Sequence, residues 1–127
     1  MNSYEALMAE YDDRLDISEH KMKKHEGLCG DSTIWINEDI QTTARKTAVL
    51  AEEIGHYHLT VGDITDQTKI DNQKQELKAR KWGARKIISD EAIIDAAMHG
   101  YREPYEIAEY LNVDEKLLKE YLQYKGF

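Results

Sequence analysis

Cysteine, proline and phenylalanine are nearly missing from this chain of 127 residues, which holds one of each. The lone Cys29 excludes an internal disulfide framework and fits a reducing compartment. One proline and seven glycines leave long stretches free of helix breakers, so the chain reads as mostly helical. Positive charge is also short: 17 Lys and Arg stand against 25 Asp and Glu, a net charge of −8. That excludes a general nucleic-acid binder, because phosphate contacts need basic surface. No apolar run reaches membrane-spanning length, and the N-terminus lacks a basic-then-apolar leader, so the expected location is the cytoplasm, with no membrane partner. What remains is 41% hydrophobic and 33% charged, a globular composition with room for one moderate core. A single domain over residues 1–127 is expected.

The most informative stretch is Leu50-Ala51-Glu52-Glu53-Ile54-Gly55-His56-Tyr57-His58. It lies in a helix expected from Thr42 or Thr43 to about His58. That helix is apolar nearly all round, as a buried helix is. Small residues (Ala44, Ala48, Ala51, Gly55) let a neighbour approach. Two carboxylates and two imidazoles are out of place there, since buried ionisable groups need a partner or a metal. Glu52 and His56 share one helix face at i, i+4, with Glu53 beside them. This is the spacing of H-E-x-x-H, in which two ligands flank a catalytic Glu, with Glu52 in place of the first His. A surface carboxylate pair beside a His favoured by the helix dipole is the competing reading. His58 lies two residues past His56, on another face, and reaches the site only if the helix ends at Tyr57. Thr60 to Thr68 reads as a loop. Asp63 in it is one residue off the spacing at which such a loop returns a metal ligand, and a turn-forming Asp is the favoured reading. A second long helix is expected over 72–88. Its Glu76, Ala79 and Gly83 share a stripe that can press on the first helix, which would deliver Glu76 as a third ligand. The six Lys and Arg between Gln73 and Lys86 form an opposite basic stripe that reads as a solvated face.

Elsewhere, Tyr4, Leu7, Met8, Tyr11 and Leu15 recur at helical spacing behind a Ser3 cap. Asp16 to Glu26 reads as loop or frayed helix, with His20 and His25 as surface histidines. A Gly30-Asp31 turn implies an antiparallel hairpin pairing His25–Cys29 with Ser32–Asn37, in which Trp35 is expected to anchor the core. Cys29 reads as a small buried side chain. Ser89 or Asp90 caps a helix ending near Gly100, Pro104 opens another, and Asp114 caps the last. Ala108, Asn112 and Leu118 have helix-turn-helix spacing. The candidate recognition helix, residues 114–120, has two lysines against three acids and no Arg. It reads as a structural or protein-docking unit rather than a DNA reader.

The run Gly27 to Asn37, the run Ala51 to His58 with Gly62-Asp63-Ile64 behind it, and Gln75-Glu76-Leu77-Lys78-Ala79-Arg80-Lys81-Trp82 together resemble the ImmA/IrrE family of metallo-endopeptidases. The resemblance extends from the hairpin to the C-terminal unit. It implies an α+β, zincin-like fold, mostly helical with a small antiparallel hairpin or sheet, over 1–99, and a helix-turn-helix-like unit over 100–127. It also implies His56 as metal ligand, Glu53 as general base, and Glu76 as third ligand in E-x-x-A-x-x-[FW], which stands here as Glu76, Ala79 and Trp82. Glu52 replaces the usual His, as in a phage-borne E-E-x-G-H variant. Many such proteins are carried by prophages and mobile elements, and several cleave a helix-turn-helix repressor. The implied cofactor is a divalent metal, zinc by family habit. A carboxylate in place of an imidazole hardens the site toward Mn²⁺ or Fe²⁺. A peptidase-like protein that only sequesters its repressor is the alternative; a small DNA-binding regulator, disfavoured by charge, is the third.

Overall fold

The computed structural model describes residues 2–60 and 69–127. It runs α1 (Ser3–Glu10), β1 (Asp16–His20), β2 (Gly27–Gly30), β3 (Thr33–Asn37), α2 (Thr43–Thr60), α3 (Lys69–Ile87), α4 (Asp90–Met98), α5 (Pro104–Leu111) and α6 (Glu115–Lys125). The fold is α+β and mostly helical. Among the described residues no helix is long and apolar enough to cross a membrane.

The α2–α3 pair is the spine. A Cβ on Gly55 would lie 2.7 Å from the Ala79 carbonyl oxygen, and one on Gly83 would lie 3.0 Å from the Glu52 nitrogen. The two helices are therefore antiparallel and touch backbone to backbone, as their small residues imply. Apolar side chains of α2 point both ways, the bulky ones to one side. Val49, Leu50 and Ile54 join Tyr4, Leu7, Tyr11, Leu15, Ile34 and Ile36 in one core. Ala48 joins Ala84, Ile88, Ile93, Ala96, Ile107, Leu118 and Tyr121 in a second. The second core draws on α4 and on the spine as well as on α5 and α6.

The sheet differs from the expected hairpin. Its order is β1-β3-β2, with β2 antiparallel and β1 parallel to β3. Asp16–His20 is thus a strand, not loop or frayed helix. Its charge hid it: Lys46 Nζ binds Glu19 Oε1 at 2.9 Å and Tyr4 donates to Glu19 Oε2 at 2.9 Å, so an edge strand carries polar groups that are satisfied outside the sheet. The hairpin turn also sits one residue later than Gly30-Asp31. Asp31 (φ 46°) and Ser32 (φ 64°) both take positive φ, as a two-residue turn matched to strand twist requires. Trp35 is not a core anchor. It is 42% exposed and stacks on the His20 ring at 4.1 Å, because alternation along β3 gives the inner face to Ile34 and Ile36.

In α1 the cap is Asn2, not Ser3, its side chain accepting from the Glu5 amide at 2.8 Å. Ser89 caps α4, Pro104 sits at the start of α5, and Asp114 caps α6. Between α5 and α6, Asn112 takes the left-handed conformation at φ 55°.

Candidate active site

The site is a groove of about 740 Å³ between strand β2, the turn after it, and the face of α2 that bears Glu52, Glu53 and His56, with Glu76 of α3 at its side. Each side chain is placed by an element already accounted for. Helical spacing puts Glu52 and His56 one turn apart. The close α2–α3 contact at Gly55 brings Glu76 across, so that His56 Nε2 lies 3.1 Å from Glu76 Oε1.

Glu53 lies on the groove floor and is only 9% exposed. Gly27 of β2 crosses directly over it: a Cβ there would lie 2.9 Å from Glu53 Oε2 and 2.7 Å from Val49 Cγ1. Only glycine allows the edge strand to pass so near the carboxylate. Burial, followed by the charges of Glu52 and Glu76, pushes the Glu53 carboxyl up to about 7. Burial and Glu76 also raise Glu52, against the pull of Arg80 and His56.

Glu52 is engaged by a residue of the basic stripe expected to face solvent. Arg80 Nε donates to Glu52 Oε1 at 3.1 Å. The signal was available: Arg80 follows Glu76 by four residues, so both lie on one face of α3. Gly27 carries a comparable signal, since glycine inside a strand marks a close approach. Arg45 is a third such residue. It is forked onto Glu26 at the mouth of β2 (2.6 and 2.9 Å) and reaches Asp114, the α6 cap, at 3.1 Å.

His58 is elsewhere. Helix α2 continues through Thr60, so the condition for His58 to turn into the site is not met. Its Nε2 meets the Tyr11 hydroxyl at 2.7 Å and its ring lies 4.9 Å from that of Trp82. Asp63 lies outside the described residues. Cys29 lines the groove half-buried, its thiol pushed up to about 11 by burial and by Glu53, which fits an inert side chain rather than a nucleophile.

The donors suit a divalent cation in type. Two carboxylates and an imidazole face a groove in which Glu76 raises the proton affinity of Glu52 and both raise that of Glu53, a field that a cation relieves. Among the described residues, however, no three His, Cys, Asp or Glu side chains stand as a ready-made metal site. His56 and Glu76 meet, and Glu52 is turned to Arg80.

Residues 4–123 match the peptidase M78 family model, the IrrE N-terminal-like domain. The chain belongs to this family. Its peptidases are as a rule metal-dependent, and the α+β architecture described above is of the zincin-like kind expected for it. No curated protein matches the chain.

Proposed function

We propose that this M78 protein is a metal-dependent endopeptidase of a prophage or other mobile element that acts in the cytoplasm on a helix-turn-helix repressor. The observation that carries the reading is Glu53: a carboxylate buried on the floor of a groove, beneath an edge strand, with its proton affinity raised to about 7. A carboxylate so placed costs stability, and a general base needs a pKa near the working pH. His56 and Glu76 would hold the cation, joined by Glu52 once it leaves Arg80. When bound, a divalent metal supplies Lewis acidity at the scissile carbonyl. With one imidazole and two carboxylates, Mn²⁺ or Fe²⁺ suits the site beside Zn²⁺.

The chain's own residues supply the remainder. An extended substrate adds to the outer edge of β2, its backbone pairing along residues 27–30. Gly27 lets β2 itself pass close to Glu53, so a segment paired on that edge runs beside the carboxylate. Glu53 takes the proton of the attacking water and hands it to the leaving amine.

The Arg80–Glu52 ion pair favours a second reading, in which the chain binds its repressor without cutting it. Co-incubation with the repressor of the same element and added Zn²⁺ or Mn²⁺ separates the two. Cleavage by wild type, lost in Glu53→Gln with repressor binding retained, supports the peptidase. Repressor binding with no cleavage under any divalent metal, and no effect of Glu53→Gln, supports sequestration.

A further inference from the structure

The face formed by α4 and α5 has no part in the peptidase reading. Tyr101, Tyr105 and Tyr110 line a cavity of about 390 Å³ together with Glu106 and Glu109. The rings of Tyr101 and Tyr110 lie 4.9 Å apart at 31°, and the Tyr110 hydroxyl donates to Asp95 Oδ2 of α4 at 2.9 Å, which fixes the ring across the two helices. Tyr105 is 59% exposed at the rim. One position round α4 from Asp95 and His99 lie Ile94 and Met98, one turn apart and largely exposed. Aromatic and apolar side chains gathered in this way on an acidic surface mark an interaction site rather than chance exposure.

The charge selects the occupant. Residues 90–110 hold six carboxylates and one arginine. Nucleic acid, an anionic lipid surface and an acidic peptide are all repelled, and a second copy docked by the same face would present the same negative charge. Tyrosine rings flanked by carboxylates suit a guanidinium or ammonium group, held by ring face and ion pair together.

We propose that the α4–α5 face docks a basic, amphipathic segment of a partner protein, with an arginine or lysine in the tyrosine cavity between Glu106 and Glu109 and apolar side chains against Ile94 and Met98. The surface is independent of the metal and of cleavage. The probe is a fluorescent helical peptide with arginines along one face and leucines along the other, titrated into the full chain. Saturable binding that weakens with salt is expected. It should fall about tenfold in Tyr105→Ala and about tenfold in the joint Glu106→Gln, Glu109→Gln variant, and persist in Tyr105→Phe, which keeps the ring. Gln at 106 also preserves the α5 capping box, in which the Glu103 amide donates to this side chain, so the loss is not one of folding. Absence of binding, binding that survives both losses of function, or equal binding of the peptide with glutamates for arginines overturns the proposal. So does binding of duplex DNA that the same variants abolish.

Discussion

Glu53 sits where its own charge is opposed, by burial and by the carboxylates of Glu52 and Glu76. Its ordinary value of 4.5 is raised to about 7, so the folded chain holds this proton more tightly than the unfolded chain does. Stability from this group is therefore full below about pH 4.5 and is lost as pH rises toward about 7. Glu53→Gln removes the penalty. With chelator present, the variant should be more stable than wild type by about 2–3 kcal/mol at pH 8 and equal to it near pH 4, measured by urea unfolding. A variant no more stable at pH 8 contradicts the buried-charge assignment. Arg80 bears on the neighbouring residue. If it withholds Glu52 from a cation, Arg80→Ala should raise Zn²⁺ or Mn²⁺ affinity about fivefold with little change in stability, since a half-exposed ion pair contributes under about 1 kcal/mol. Unchanged or weaker metal binding in a competition titration would remove Glu52 from the ligand set. The meeting of His56 and Glu76 was legible in the sequence, because helical period and a stripe of small residues fix which faces touch. The diversion of Glu52 was not. It depends on where one long arginine side chain comes to rest, and periodicity does not record that.

At the scale of elements, the legible parts are those set by local chemistry: caps at Ser89 and Asp114, Pro104 at a helix start, and the apolar circumference of α2. The illegible part is β1. It has one half-buried isoleucine, Ile17, and otherwise owes its strand conformation to the free edge of β3 and to Lys46 and Tyr4, all distant in sequence. Trp35 failed for a related reason. Its type suggests the core, but the pleat parity set by Ile34 and Ile36 turns it outward. The α2–α3 contact is the element-scale feature on which the site depends. Gly55→Ala places a methyl 2.7 Å from the Ala79 carbonyl oxygen, where only helix separation relieves the clash. The cost should be about 1–3 kcal/mol by denaturant unfolding, exceeding the gain in helix propensity, and metal affinity should fall with it as His56 and Glu76 part. A stabilised Gly55→Ala variant would mean that the helices are not in backbone contact.

Across the whole molecule, two cores share the α2–α3 spine, and Arg45 ties the mouth of β2 to the cap of α6. That guanidinium links the groove to the C-terminal unit beside the shared second core, and residues 90–110, with six carboxylates against one arginine, hold much of the negative charge that excluded nucleic acid at the outset. The central claim is that His56 and Glu76 converge to hold a divalent metal beside the base Glu53. Calorimetric titration of Zn²⁺ and of Mn²⁺ into chelator-stripped protein tests it most directly. One equivalent should bind to wild type and to Glu53→Gln, and binding should be lost in His56→Ala and in Glu76→Ala. A chain that takes up neither metal, or takes one up indifferently to the loss of His56 and Glu76, would contradict the claim.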